Sequence, residues 1–330
     1  VIHVRRAVER DLVASLTTLR GYRQARWRSV ILYGMAGIGK TAIARALTDD
    51  DQVKRAFRDG IAWVDGSQDP EEEVMRLCLG FSLERVPGER WIECWRRWAG
   101  AAERRLLLIV DDAISSEGLS PLIAGLGPQV VALITTQQGA EIRAEVERWL
   151  PAEAVMEVGV QGLAPTEGRE LVEAVVERSL NDAEWELAQE IGELIGWHPE
   201  ALRLAAIEGR SVGWQGMIDE LRAGRVPWVE IRRRVMRQWA RLHADQQAWL
   251  TALIQQKTPG TGFTTDAAAQ CWEAEATIVG RRIWSLECCG LVARETVAGP
   301  DSPRWRVGPA AHKVLTEIVQ RHEKERSDEQ

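Results

Sequence analysis

The sequence predicts an α/β domain, a parallel sheet wrapped by helices, followed by a small helical domain and a winged-helix domain. Three observations carry this expectation. Five short apolar runs lack polar alternation, which suits strands covered on both faces. Helix-spaced stretches lie between them, as the crossovers of a parallel sheet require. After about residue 160 these strand signals stop and helical spacing takes over.

The strand runs are 29–33 (SVILY), 61–64 (IAWV), 106–110 (LLLIV), 130–134 (VVALI) and 155–158 (VMEV). Helical stretches are predicted over 41–48, 71–79 and 89–102. In the next block, 165–179, 182–195 and 200–208 carry helical spacing, broken by Asn181-Asp182, by the segment 196–199 (GWHP) and by a glycine near 213. From Val226 a third block reads as helices to 240, over 244–255, 265–272 and 276–288. Two strands follow, 291–295 and 304–307, and a last helix is predicted over 309–321. Helices, a two-stranded wing and a closing helix define the winged-helix expectation. The expected boundaries are 1–159, 160–225 and 226–322, with a charged tail over 323–330.

A chain of 330 residues exceeds one ordinary core, which agrees with several domains. Hydrophobic residues at 45% and charged residues at 28% exclude a disordered chain. A net charge of -7 argues against a surface built mainly for nucleic acid or anionic lipid. No apolar run approaches the roughly 18 residues of a membrane span. Five cysteines (78, 94, 271, 288 and 289) have no metal-like spacing and are expected as reduced thiols in a cytoplasmic protein, those at 288 and 289 as packing within a helix end. The chain opens on Val1 without a charged-then-apolar leader and is expected to be an excerpt of something longer. Trp91, Trp95 and Trp98 share one helix face, which predicts core packing rather than a nucleobase platform.

The chemistry centres on residues 34–41, Gly-Met-Ala-Gly-Ile-Gly-Lys-Thr, which fit G-x-x-x-x-G-K-[ST] after a strand and before a helix. In such a loop, backbone N–H groups turn inward around phosphate oxygens and the helix N-terminus adds partial positive charge. Gly34, Met35, Ala36, Gly37, Ile38, Gly39, Lys40, Thr41 and Ala42 are therefore expected against ATP or ADP. Lys40 would face the β/γ phosphates, and the Thr41 hydroxyl would bind Mg²⁺. The run 106–110 ends in Asp111-Asp112, where Asp111 would hold Mg²⁺ through water and Asp112 would orient the attacking water. Lys40, Asp111 and Asp112 are the catalytic expectation, with Thr41 and Asp111 at the metal. Thr135, Thr136 and Gln137 end the fourth run, at the sheet edge where such folds bind ligands.

With these motifs the chain resembles the NB-ARC branch of the STAND signalling NTPases, bacterial type, over nearly its whole length. Residues 4–9 (VRRAVE) resemble the family's aromatic-valine-glycine-arginine motif near the adenine, which implies roles for Val4 and Arg6; His3 and Arg5 depart from it. Asp111 and Asp112 match the tandem acids. Residues 134–137 (ITTQ) resemble the sensor strand and imply that Thr136 and Gln137 face the nucleotide, but Gln137 stands where an arginine usually reads the γ-phosphate. Gly162-Leu163 with the helix after them resemble the start of the family's first helical domain. Residues 196–202 (GWHPEAL) are similar to the glycine-leucine-proline-leucine motif, which puts Pro199 at the base or ribose. His198 has two readings, a helix-starting residue or a nucleotide neighbour. Near the last strand the family carries Met-His-Asp, whose histidine touches ADP; here Gly308 stands at that place, and His312 lies a turn later.

The resemblance implies a nucleotide-operated switch with slow hydrolysis, ATP-driven opening and self-association, and sensor and effector domains outside this chain. Two other classes fit the sequence less well. A DNA-binding regulator would use Arg232, Arg233, Arg234, Arg237, Arg241, Arg281 and Arg282, but the neighbouring helices also carry many acids, which favours a solvated or interdomain face. A small-molecule kinase would need a lid motif and a catalytic base that the chain lacks.

Overall fold

The computed structural model describes residues 3–17, 19–20, 24–25 and 28–222, and parts of the C-terminal block: 233, 235–236, 239–240, 242–256, 263–275, 278–280, 282–283, 286, 291–294, 304–307, 312, 314–316 and 318–319. Packing divides the chain into two compact units. One comprises Arg5–Gly34 and Gly39–Val160, the other Val1–Val4, Met35–Ile38 and Gln161–Gln330.

The first unit opens with α1 (Ala7–Thr17) and a short hairpin, β1 (Leu19–Arg20) and β2 (Gln24–Ala25). Then come β3 (Ser29–Tyr33), α2 (Lys40–Asp49), α3 (Asp51–Ala56), β4 (Ile61–Asp65), α4 (Pro70–Gly80), α5 (Trp91–Ala99) and β5 (Leu107–Ala113). The unit closes with α6 (Ser116–Ile123), β6 (Val131–Thr136), α7 (Gly139–Glu147) and β7 (Val155–Gly159). The five long strands form one parallel sheet in the order β4-β5-β6-β3-β7. Central strands β5, β6 and β3 are buried over most of their length, whereas edge strand β4 alternates. Burial on both faces is what their unbroken apolar runs predicted.

Helices α1, α3, α6 and α7 carry weaker sequence signals than the strands, and the strand-based expectation omitted them. Helices α3 and α4 start on carboxylate caps: Asp50 accepts from Gln52 N and Val53 N at α3, and Asp69 from Glu71 N and Glu72 N at α4. The expected helix 89–102 is shorter, because Gly100 takes the cap and its N–H returns to Arg96 O. Trp95 is fully buried and donates from Nε1 to Leu122 O at 3.1 Å. Trp98 packs on Phe81 with ring centroids 4.8 Å apart, and the guanidinium of Arg104 covers it. This tryptophan face belongs to the core, as its spacing predicted. Burial pushes the Cys78 thiol up to about 12, which leaves it inert.

The second unit contains α8 (Pro165–Val176), α9 (Asp182–Ile195), α10 (Pro199–Val212), α11 (Trp214–Arg222) and α12 (Ala244–Gln256). Beyond them lie β8 (Phe263–Thr264), α13 (Thr265–Trp272), β9 (Val292–Arg294) and β10 (Arg304–Val307). The last strands form an antiparallel sheet in the order β8-β10-β9. Sequence spacing predicted the β9–β10 pair but not the two-residue β8, which is too short for a period-2 signal. Arg282 lies 4.9 Å from the Trp249 ring and 5.9 Å from Trp272, packed on tryptophans instead of offered as a basic surface. Arg232, Arg234, Arg237, Arg241, Arg281, Gly308 and the cysteines at 288 and 289 lie outside the described residues. Among the described residues no helix is long and apolar enough to cross a membrane.

Candidate phosphate-binding site

The loop between β3 and α2 begins where the sheet stops. Gly34, Gly37 and Gly39 take φ of 150°, 79° and 102°, and a side chain at 37 or 39 would be strained there. At Gly39 a Cβ would also come within 3.4 Å of Arg6 Nη1. Arg6 is buried and stands just before α1, with its guanidinium beside Gly39. Gly39 occupies the N-cap position of α2 in a left-handed conformation, and no side chain caps this helix. Its first N–H groups therefore suit an anion. Lys40 is buried, and its Nζ donates to Gly34 O at 2.8 Å, tying the start of the helix to the first glycine.

Thr41, on the first turn of α2, donates from Oγ1 to Asp111 Oδ1 at 2.8 Å. Thr135 Oγ1 donates to the same oxygen at 2.6 Å and accepts the Asp112 N–H at 2.8 Å. Strand order explains the convergence. Because β6 lies between β5 and β3, a β6 side chain stands between the acid strand and the loop strand. A bulge completes it: Val110 pairs with Ile134 and Ala113 with Thr136, so Asp111 and Asp112 together oppose Thr135. Asp112 is exposed and adopts φ 55°, an uncommon conformation for a non-glycine residue.

Thr135, not Thr136, reaches this cluster. The Thr136 hydroxyl is buried, donates to Ala113 O at 2.7 Å and accepts from Gln138 N at 2.9 Å, so it holds the end of β6. Sequence alone could not choose between two adjacent threonines, because the choice depends on the bulge. Gln137 follows β6 and is half-buried. Ala42 continues α2 beside Thr41.

In the second unit, Val4 and Met35 pack against the helical core. Pro199 opens α10 and His198 is its N-cap. His198 Nε2 lies 3.0 Å from Ala36 O, and its Nδ1 accepts the Ala201 N–H at 3.3 Å. The histidine therefore satisfies the helix-starting reading and also touches the loop itself.

The donors fit Mg²⁺ with a nucleotide. A hydroxyl and a carboxylate oxygen meet at the start of α2, and Mg²⁺ binds through one or two such oxygens plus phosphate. Among the described residues no group of three or more His, Cys, Asp or Glu side chains forms a separate metal cluster.

A parallel sheet wrapped by helices, with a glycine loop before a helix and an acid on a nearby strand, defines a P-loop NTPase domain. Residues 14–177 match the family model of the NB-ARC domain, so this part of the chain is an NB-ARC-type P-loop NTPase domain. Over 105 residues the chain is 31% identical to a protein named "Probable disease resistance protein" of Arabidopsis thaliana. That match covers 32% of this chain and 12% of the plant protein. A Walker-type ATPase of Pyrococcus abyssi has a similar fold, with a TM-score of 0.53, 14% identity, and coverage of 95% of this chain and 96% of that one. Cdc6p of Pyrobaculum aerophilum aligns with a TM-score of 0.39 at 13% identity, over 98% of this chain and 96% of its own.

Proposed function

We propose that the chain is the switch module of a STAND-type signalling NTPase, of the kind found in multidomain bacterial regulators. In this reading it binds ADP or ATP with Mg²⁺, hydrolyses ATP slowly, and opens and self-associates in the ATP state. The observation that carries it is the meeting of Thr41 and Thr135 on Asp111 Oδ1 at the mouth of the glycine loop. Bound Mg²⁺ would offset the charge of the β- and γ-phosphate oxygens.

Each residue then has a role. Thr41 and Asp111 hold the ion, Lys40 places a charge at the β/γ phosphates, and the loop amides from Gly34 to Ala42 cradle them. Asp112, turned outward by the bulge, orients water. Val4 and Pro199 serve the adenine or ribose side, and Arg6 supports the loop at Gly39. Gln137 carries no charge where the family places arginine, so less transition-state charge is stabilised and turnover is slow.

The domains of this reading are the nucleotide-binding domain to 159, the helical domain over 160–225 and a winged helix over 226–322. The β8-β10-β9 sheet with α12 and α13 supports the last of these. Sensor and effector domains would lie outside the chain, and the switch would act in the cytoplasm. The test is chromatography of nucleotide released by acid from the purified chain. Stoichiometric adenine nucleotide supports the reading, and its absence together with failure to bind added ADP overturns it.

A further inference from the structure

We propose that His198 is a positioning residue for the phosphate-binding loop and that Trp197 fixes its place. This rests on the reading of the loop as a nucleotide site and assigns His198 to the loop backbone instead of to the nucleotide.

The two bonds of the imidazole agree on one tautomer. The Ala201 N–H can only donate, so Nδ1 carries the lone pair and Nε2 carries the proton. The Ala36 carbonyl can only accept, and it stands 3.0 Å from Nε2. His198 is 4% exposed, which keeps water from competing for these bonds. Among the described residues no peptide bond is cis, and in a trans peptide the C=O and the next N–H point in opposite directions. Holding the Ala36 carbonyl toward His198 therefore directs the Gly37 N–H away from it. One donor of the loop is thus oriented by an imidazole more than 160 residues later in the chain.

The neighbouring tryptophan gives His198 a rigid base. Trp197 adopts φ 54°, a costly conformation for a bulky side chain, and three contacts hold it there. Its N–H donates to Gly192 O at 2.7 Å and its carbonyl accepts from Leu163 N at 2.9 Å. Its indole fills a slot floored by two glycines: a Cβ at Gly168 or Gly192 would lie 2.5 or 2.6 Å from ring atoms. Trp185 closes the slot, with ring centroids 6.1 Å apart. Met35, beside Ala36, packs against this same helical core and supplies a second tether for the loop turn.

Asparagine and glutamine separate the two nitrogens. In His198→Asn the side-chain oxygen replaces Nδ1 as the cap, but nothing reaches Ala36. In His198→Gln the amide nitrogen replaces Nε2, and the cap is lost. Hydrogen exchange of the whole chain, without nucleotide, reads the amides of 34–41 and of α10 separately. His198→Asn is expected to speed exchange in the loop about fivefold, the scale of one neutral hydrogen bond, with α10 unchanged. His198→Gln is expected to keep loop protection and loosen the first turn of α10. Trp197→Phe should loosen the loop in the wild-type background and add nothing to His198→Asn, which a merely structural role would not reproduce. Loop protection unchanged in His198→Asn, or lost equally in both histidine variants, overturns the proposal. Release of a fluorescent ADP analogue, measured in parallel, tests the functional reading: wild-type protein that binds none defeats that reading, while the exchange pattern still decides the role of His198.

Discussion

Thr41 and Asp111, 70 residues apart in the chain, share a hydrogen bond of 2.8 Å at the mouth of the glycine loop. The bond joins the first turn of α2 to the end of β5, two strands away from β3. Thr135 on the strand between them completes the cluster by donating to the same carboxylate oxygen.

Thr135→Val keeps the shape of this side chain and removes its hydroxyl. Asp111 then loses a donor and the Asp112 N–H loses its acceptor. A loss of about 1–3 kcal/mol in stability is expected, with slower ATP hydrolysis. Urea unfolding measures the first, and wild-type stability would show that the triangle contributes nothing.

Asp112 separates strain from chemistry. Its φ of 55° costs an ordinary side chain roughly 1–2 kcal/mol, aspartate and asparagine less, and glycine least. Asp112→Gly should therefore raise the melting temperature while hydrolysis falls, and Asp112→Asn should leave stability and nucleotide binding near wild type with hydrolysis suppressed. Wild-type turnover in either variant would remove Asp112 from the water-orienting role.

Two glycine replacements should have opposite signs. In Gly168→Ala the new Cβ meets the Trp197 ring at 2.5 Å, and overpacking of about 1–3 kcal/mol outweighs the better helix propensity of alanine, about 1 kcal/mol. In Gly216→Ala on α11 the Cβ meets nothing within 4 Å, so stability should rise by up to about 1 kcal/mol. Thermal unfolding of the two variants checks the contrast.

The first turn of α9 predicts a pH effect. Hydrogen bonding to Arg178, then to Asn181 N–H, holds the Glu184 carboxyl at about 2 against an ordinary 4.5. A depressed acid stabilises the fold above its unfolded pKa and loses that contribution as pH falls through the folded value. The stability difference between wild type and Glu184→Gln should thus persist above pH 4.5 and fade toward pH 2. Because the pair faces solvent, added salt should shrink it.

Much of the fold was legible because its signals are local. The runs at 29–33, 61–64 and 130–134 are apolar on both faces, and β3, β4 and β6 form there. The helix 265–272 begins after a threonine cap and ends as expected. The loop glycines were legible because their backbone conformations favour glycine, and Lys40 because it stands at the lysine place of the G-x-x-x-x-G-K-[ST] spacing. What escaped depends on register and packing. The bulge that carries β5 through Asp111 and Asp112 to Ala113, and makes Thr135 the partner of Asp111, exists only once β5 pairs with β6. The slot for Trp197 exists only where α8 and α9 meet at two glycines.

The most direct test of the central claim is calorimetric titration of ADP with Mg²⁺ into the wild-type chain and Lys40→Ala, with circular dichroism to confirm that both are folded. Lys40 is buried and bonds the loop at Gly34, so removing its charge should abolish tight binding while the glycine loop and the sheet remain. Tight binding by the wild type and none by folded Lys40→Ala is the expected result. Equal affinity in the two proteins would contradict the assignment of the loop as a phosphate-binding site.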